Sequence, residues 1–276
     1  MTFVASPGID DAVSPPRSVA IAGDGERRGY ARHDIGGIGV AAMSREAAFA
    51  EVLAAIAAGR HLRLAFCNAN LVNVVAGDAT LRRSLADFLV LADGIGVDLG
   101  SRLLHGSPFP ANLNGTDFFP ALLGRALPLR VALLGARPGV ADRAAAELAR
   151  RYPAHRFTVV SHGYYDAAEE ERLLDGLQAQ RPDLLLVALG NPLQERFIAD
   201  RIGPGHASVA AGVGALFDFL TGEVPRAPAI LRKARLEWAY RLWLEPRRLW
   251  RRYLLGNPAF LLRLLRQYAG GGRRGW

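Results

Sequence analysis

The chain has 276 residues, of which half are hydrophobic and 22% are charged, and its formal net charge at pH 7 is +8. A single cysteine, Cys67, excludes an internal disulfide and is typical of a reducing compartment. No apolar run reaches 18 residues and Met1 to Arg17 lack a secretory pattern, so we expect neither a transmembrane helix nor a signal peptide.

The positive charge is concentrated at the C-terminal end. Residues 226–276 contain 12 Arg and 1 Lys against 2 Glu, a net charge of +11, so the remainder of the chain carries −3. All four tryptophans also lie in this segment. Arginines interleaved with Trp and Tyr suit an anionic membrane surface, for which nucleic acid is the competing partner.

The N-terminal half predicts an arm followed by alternating elements. Residues 1–34 are rich in Pro, Gly, Asp and Ser and show no apolar period, so they predict a mobile arm. Ser44 and Asp78 are predicted helix N-caps. The predicted strands are 35–43, 62–66 and 88–92, and the predicted helices are 45–58, two short ones after Asn70, 96–104, and one ending at 127.

The C-terminal half alternates more regularly. The predicted strands are 130–134, 157–160, 184–189 and 207–211, and the predicted helices are 140–151, 167–180 and 193–202. Apolar strands alternating with helices predict an α/β fold with a Rossmann-like parallel sheet and flanking helices. We assign the catalytic core to residues 35–225 and a basic helical appendage to 226–276, with helix breaks at Pro246 and Pro258.

Ligands of open parallel sheets bind beyond the carboxyl ends of the strands, and polar residues or glycines follow five of the predicted strands. Asp93 comes directly after an apolar strand and precedes a glycine. A carboxylate there could act as a general base, or it could cap the next helix. Cys67 is more simply a buried core thiol.

Other candidates at these strand ends have equally plain structural alternatives. The loop from Gly135 through Ala136 to Gly139 resembles a phosphate cradle, but is also a common tight turn. Gln194 suits hydroxyl recognition unless it is only an exposed helical residue. Asp218 could bind a nucleoside or be structural, and His162 to Tyr165 could line a base pocket.

No metal-binding pattern is present, because the chain has neither an Asp-x-Asp motif nor a His/Cys cluster with zinc spacing. We therefore expect no metal or cofactor, and cationic side chains would have to stabilise a diphosphate leaving group. Helical spacing places Arg241, Arg248 and Arg252 on roughly one face, with Arg251 on another. Some of these arginines could instead face solvent or lipid.

An ordered set of motifs resembles the WecG/TagA/CpsF glycosyltransferase family from about residue 35 to residue 258. The set comprises Cys67-Asn68-Ala69-Asn70, Leu91-Ala92-Asp93-Gly94, Gly115-Thr116-Asp117, Leu133-Leu134-Gly135 with Pro138-Gly139, His162-Gly163-Tyr164-Tyr165, residues 187–195, residues 212–218, Arg226-Ala227-Pro228, Leu236-Glu237-Trp238 and Tyr240-Arg241-Leu242. Each motif is weak alone, whereas the ordered series is specific.

The resemblance implies an inverting, metal-independent enzyme of the GT-E architecture that moves a sugar from UDP to a polyprenyl-diphosphate-linked sugar during synthesis of a cell-surface polymer such as an exopolysaccharide. It implies a catalytic base at Asp93, and an appendage that docks on the membrane and completes the site. It also implies a sugar-pocket position for Gln194 and a UDP contact for Asp218. Together with the strand-end and helical-spacing arguments above, these assignments complete the predicted site. The predicted sugar-binding residues are Asn68, Asn70, Asn112 and Gln194. The predicted UDP-binding residues are Gly135, Ala136, Tyr164, Gly190, Asn191, Gly214, Phe217 and Asp218, and the predicted diphosphate- or lipid-binding residues are Arg241, Arg248, Arg251 and Arg252.

The sequence departs from the family pattern at Asn68, where Thr is common, and at Asn112, where Arg is common. Residues 112–117 resemble the branch with xanthan-type glucosyltransferases, so we expect a hexose donor, with UDP-glucose favoured. The alternative is UDP-N-acetylmannosamine or its uronate, with a GlcNAc-diphospho-polyprenol acceptor. We expect a peripheral protein at the cytoplasmic face of a bacterial inner membrane that forms a possible homo-oligomer and does not bind nucleic acid.

Two rival functions remain open at this point. A Rossmann-like dehydrogenase is disfavoured because no G-x-G-x-x-G follows a strand. A non-enzymatic module that binds a nucleotide or a membrane through its basic tail would fit the charge distribution equally well.

Overall fold

The computed structural model describes residues 29–228, 230–231 and 236–271. Most of the predicted arm, residues 1–28, lies outside the described residues. The strand predicted at 35–43 is confirmed only in part, as β2 (Ile38–Ala41), because the chain forms a hairpin in which β2 pairs with β1 (Arg32–Ile35). Residues 32–34 of the predicted arm therefore belong to a strand. Gly36 and Gly37, with φ of 62° and 86°, form the turn, since two positive φ values suit a tight hairpin.

The remaining strands form one sheet. They are β3 (Leu62–Cys67), β4 (Leu89–Ala92), β5 (Arg130–Gly135), β6 (Arg156–Ser161), β7 (Leu184–Ala188) and β8 (Val209–Gly212). All neighbouring pairs are parallel, in the order β4-β3-β8-β7-β5-β6. The predicted α/β fold with a Rossmann-like parallel sheet is thus confirmed.

Nine helices cover the sheet within the part of the core that the structure describes. They are α1 (Arg45–Ala57), α2 (Ala69–Ala76), α3 (Ala79–Ser84), α4 (Ile95–His105), α5 (Gly115–Leu123), α6 (Val140–Arg151), α7 (Ala167–Gln180), α8 (Leu193–Arg201) and α9 (Leu216–Leu220). The predicted caps are confirmed, since Ser44 accepts from Ala47 N–H at 3.2 Å and Asp78 from Leu81 N–H at 3.0 Å.

The sheet is buried on both faces, which explains its nearly continuous apolar strands. Along β3, Leu64 and Phe66 pack on one side while Ala65 and Cys67 pack on the other. The chain leaves β5 towards the edge strand β6 but leaves β7 in the opposite direction, towards β8. The loops after β5 and β7 therefore diverge, and this switch point is where an open α/β sheet offers a binding crevice.

The appendage is helical, as predicted, but its proline breaks differ. It contains α10 (Glu237–Leu244), α11 (Pro246–Trp250), a π-helical turn (Arg251–Leu255) and α12 (Gly256–Ala269). Pro246 begins α11 as expected, whereas Pro258 does not end a helix. The wider π turn before it relieves the clash that a proline ring makes with the carbonyl four residues earlier.

The last helix packs on the catalytic core. Phe260 and Leu264 are buried, and their side chains contact Gly96 and Gly100 of α4, where an added Cβ would lie 3.3 Å and 3.0 Å away. Gln267 accepts a hydrogen bond from Gly36 N–H at 2.9 Å. Of the helices that the structure describes, none is both long enough and apolar enough to cross a membrane.

Candidate active site

Asp93 lies at the carboxyl end of β4, beside the end of β3. Its backbone N–H donates to Cys67 O at 2.8 Å, and Asn68 Nδ2 donates to its Oδ2 at 3.3 Å. Burial raises the pKa of the Asp93 carboxyl, while Asn68 and the charges of Arg252 and Arg241 act in the opposite direction. Asp93 is therefore a carboxyl group held in a partly dehydrated setting, as a general base requires.

Two asparagines predicted to bind sugar instead hold Asp93 and the turn that follows it. Asn68 also caps α2, since its Oδ1 accepts from Leu71 N–H at 3.1 Å. Asn112 Oδ1 accepts from Gly94 N–H at 2.7 Å, which fixes the turn after Asp93. Asn70 is the second residue of α2, next to the Asn68 cap, and its side chain is half-buried.

The predicted phosphate loop lies at the β5–β7 switch point. An added Cβ on Gly135 would lie 2.6 Å from Ala188 O, so this position needs glycine. Ala136 takes a φ of 62°, donates to Ala188 O at 2.9 Å and accepts from Gly163 N–H at 2.8 Å. These bonds tie together the loops after β5, β6 and β7, at a strained residue of the kind that is common in ligand sites. Tyr164, on the β6 loop, is 67% exposed.

Gln194 connects the loops after β7 and β8. Its Oε1 accepts from Gly190 N–H at 3.2 Å and from Gly214 N–H at 3.0 Å. The side chain is only 3% exposed, so the alternative of an exposed helical residue is excluded. Asn191 lies beside it, and its Nδ2 donates to Glu195 Oε1 at 2.6 Å.

Asp218 lies on α9, after β8. Burial raises the pKa of its carboxyl, whereas the charges of Arg137, Arg248 and Arg241 lower it. Phe217, predicted to contact UDP, is fully buried in the core and is unavailable for that contact, because its side chain faces the sheet. The exposed side of α9 carries Phe219 instead, with the guanidinium of Arg241 5.3 Å from its ring centre.

Three of the four predicted arginines act electrostatically on the candidate carboxyl groups. The charges of Arg252 and Arg241 lower the pKa of Asp93, and those of Arg248 and Arg241 lower the pKa of Asp218. Arg248 itself is exposed and forms an ion pair with Glu245 at 2.6 Å. Arg251 is exposed, and its guanidinium lies 5.3 Å from the ring centre of Trp250. Burial lowers the pKa of Arg252.

Two of these arginines carry unsatisfied donors. The Nε atoms of Arg241 and Arg252 are buried and lack an acceptor within the described residues. A buried N–H without an acceptor is costly, so the position favours an anionic ligand. In the same described ranges, no three His, Cys, Asp or Glu side chains gather as they would around a metal ion.

Sequence reasoning missed Glu195, which appeared only within a motif. It is fully buried, and burial raises the pKa of its carboxyl to about 7. The only available signal was its place beside Gln194 in the first turn of α8. Cys67 is confirmed as a buried thiol, with a pKa that burial raises.

Comparisons with known proteins give the same family as the motifs. A model of the glycosyl transferase WecG/TagA/CpsF family matches residues 33–274. The N-acetylglucosaminyldiphosphoundecaprenol N-acetyl-beta-D-mannosaminyltransferase of Bacillus spizizenii is 37% identical over 185 residues, which are 66% of this chain and 70% of that protein. The proteins of the same name from Bacillus subtilis (36% over 182 residues, 64% and 68% covered) and Staphylococcus aureus (32% over 177 residues, 63% and 68% covered) are also similar.

Proposed function

The chain belongs to the WecG/TagA/CpsF family of glycosyltransferases, and we propose that it transfers N-acetylmannosamine from UDP to N-acetylglucosamine linked through diphosphate to a polyprenol. The names of the relatives support this alternative over the UDP-glucose donor that residues 112–117 suggested. Asn112 braces the turn after Asp93, so its identity is a weak guide to the donor.

One observation carries the proposal for a diphosphate ligand. Arg241 and Arg252 both have a buried, unpaired Nε donor, and the charges of both lower the pKa of Asp93, while Arg241 lowers the pKa of Asp218 as well. A UDP-sugar bound along the strand ends from Asp218 to Asp93 would supply acceptors to both guanidinium groups. The Ala136 loop and the N-terminus of α6 would add backbone N–H groups.

In the proposed mechanism, Asp93 accepts the proton of the acceptor hydroxyl as its oxygen attacks the anomeric carbon. The bond from that carbon to the UDP oxygen breaks on the opposite face, so the configuration inverts. Arg241 and Arg252 neutralise the charge that develops on the departing diphosphate, without a metal in this proposal. The raised pKa of Asp93 makes its carboxylate a stronger base. The transfer rate should fall at low pH, where this carboxylate becomes protonated.

The acceptor's lipid tail places the reaction at a membrane, and we propose that the appendage docks there peripherally, on a cytoplasmic face. Trp243 is 74% exposed, while Leu254 and Leu255 are 57% and 59% exposed. Arg247 and Arg251 are exposed on the same helical segment. Apolar side chains beside arginines bind anionic interfaces, and binding should therefore weaken with salt.

The test is UDP release by the purified full-length chain, with UDP-N-acetylmannosamine, UDP-N-acetylglucosamine and UDP-glucose compared as donors. Each donor is offered with and without a GlcNAc-diphosphoprenyl acceptor, and with and without EDTA. We expect release from UDP-N-acetylmannosamine alone, dependent on acceptor and indifferent to EDTA. Release from UDP-glucose alone would refute the donor, and loss in EDTA would refute metal independence.

The control for the base is Asp93→Asn, which keeps the size of the side chain and removes its basicity. We expect turnover to fall by about 100-fold or more while the affinity for UDP is retained. An Asp93→Asn protein with wild-type turnover would refute the role of this carboxylate.

A further inference from the structure

Glu195 is a buried carboxyl group with two amide partners and an unused oxygen. It lies in the first turn of α8 and has no exposed surface. Its Oε1 accepts from Gln194 Nε2 at 2.8 Å and from Asn191 Nδ2 at 2.6 Å. Its Oε2 is buried and has no hydrogen-bond partner among the described residues. A buried carboxyl oxygen without a partner lowers the stability of the fold, so its presence indicates a functional role for Glu195.

The bonds of Glu195 determine which way the Gln194 amide points. Gln194 Oε1 already accepts from Gly190 N–H and Gly214 N–H, which occupies both of its lone pairs. A flipped amide would set its NH₂ against two backbone donors and its oxygen against a carboxyl oxygen. The network therefore fixes the orientation, and leaves Gln194 a single N–H for any ligand.

Asn191 is held by the same oxygen. One N–H of its amide is bound to Glu195, so a second N–H and its carbonyl oxygen remain available. The two amides lie on the loop after β7 and the start of α8, at the sheet's switch point. There Gln194 is joined to the loop after β8, because its Oε1 accepts from Gly214 N–H.

We propose that Glu195 is a positioning residue of the donor-sugar pocket, which holds the amides of Gln194 and Asn191 so that both present N–H groups to oxygens of the transferred sugar. A hydroxyl or an acetamido carbonyl oxygen has the required acceptor chemistry. This inference rests on the proposed function, because it assumes that a nucleotide-sugar occupies these strand ends.

The charges around Glu195 give the proposal a second readout. Burial raises the pKa of Glu195 to about 7, whereas the charge of Arg252 acts against it. The carboxyl groups of Asp93, Asp34 and Glu195 each raise the pKa of the buried Cys67 thiol, after burial itself. The ionised form, which is the better acceptor, gains population as the pH rises through about 7.

Two variants separate positioning from folding. Glu195→Gln retains an acceptor oxygen but cannot ionise, whereas Glu195→Leu has a similar size and no acceptor. Calorimetry with UDP alone and with each UDP-sugar of the panel, between pH 6 and 9, gives the part of the affinity that the sugar contributes. Thermal unfolding of each variant is measured in parallel.

We expect Glu195→Leu to lose about 10-fold or more of the sugar-dependent affinity while UDP binds as in the wild type. Glu195→Gln should keep most of that affinity and lose its pH dependence near 7. Wild-type sugar affinity in Glu195→Leu would overturn the proposal. If Glu195→Leu does not fold, a Glu195→Gln protein with the wild-type pH dependence would overturn it instead.

The outcome is independent of the reaction assigned above. Wild-type turnover tests the donor and the transfer reaction, whereas the ratio of UDP-sugar affinity to UDP affinity tests Glu195. If the wild-type protein turns over no donor, but Glu195→Leu still loses the sugar-dependent affinity, only the proposed reaction is refuted. A wild-type protein whose affinity gains nothing from any sugar would overturn the role of Glu195.

Discussion

Replacing Gly212 with alanine should displace Gln194 and damage the donor pocket. Gly212 ends β8, and a Cβ added there would lie 2.7 Å from Gln194 Nε2, 2.9 Å from its Cδ and 3.1 Å from its Cγ. The backbone is not in the left-handed region, so alanine itself is compatible with the conformation. The effect must therefore come from the collision with the Gln194 side chain.

The size of the effect follows from what holds that side chain. Gln194 cannot swing aside without losing its bonds from Gly190 and Gly214 and its bond to Glu195, of about 0.5–1.5 kcal/mol each. Overpacking in a filled interior costs about 1–3 kcal/mol. The Gln194 side chain will either lose hydrogen bonds or remain overpacked, whichever costs less free energy. We therefore expect the free energy of unfolding to fall by about 2 kcal/mol, which lowers Tm by about 4–8 °C.

The assay is donor KM from UDP release, together with the thermal midpoint. We expect Gly212→Ala to raise the donor KM by about 10-fold or more at unchanged UDP affinity. The matched control is Gly176→Ala in α7, where a Cβ meets open space and helix propensity predicts a gain of about 1 kcal/mol without a change in KM. A Gly212→Ala protein with the wild-type KM and Tm would refute the reasoning.

Three other results are expected. Asp93→Asn should move the acid limb of the pH–rate profile as well as lower turnover, because protonation of Asp93, whose pKa is raised, sets that limb. An acid limb that does not move would mean that another group titrates there. Phe260→Ala should lower the free energy of unfolding in urea by about 3–5 kcal/mol, since the ring is fully buried against Gly96, and a loss below about 1 kcal/mol would show that α12 is dispensable. Burial and the charge of His105 lower the pKa of His33 below 6.5. The fold is therefore stabilised by neutral His33 above that pH, and Tm should drop as the pH falls below it. His33→Gln should flatten this drop, and equal slopes of Tm against pH in the two proteins would show that His33 is not its source.

Much of the fold could be predicted because its signals are local. The bounds of α6 and α7 coincide with the prediction, since apolar periodicity lies within each helix's own residues and, for α7, Asp166 adds a capping box. The parallel sheet followed from the alternation of apolar strands and helices. The hairpin of β1 and β2 was missed because its two strands are only four residues each, although Gly36 and Gly37 mark the turn.

The candidate site divides in the same way. Asp93 was predictable because a carboxyl group directly after an apolar strand must lie at the carboxyl edge of the sheet. Phe217 and Arg251 were both predicted to contact the ligand, but the direction of a side chain depends on what its element packs against. Phe217 is buried in the core, and Arg251 is exposed beside Trp250.

The sequence by itself determined the order and type of most elements, the family, and the carboxyl group at the end of β4. Only the tertiary structure decided that Asn68 donates to that carboxyl group while Asn112 fixes the turn after it, that α12 packs on α4, and that Glu195 is buried beside Gln194. Secondary structure depends on neighbours a few residues away, whereas burial, a raised pKa and an unpaired donor arise from groups that are distant in sequence and meet only when the chain packs.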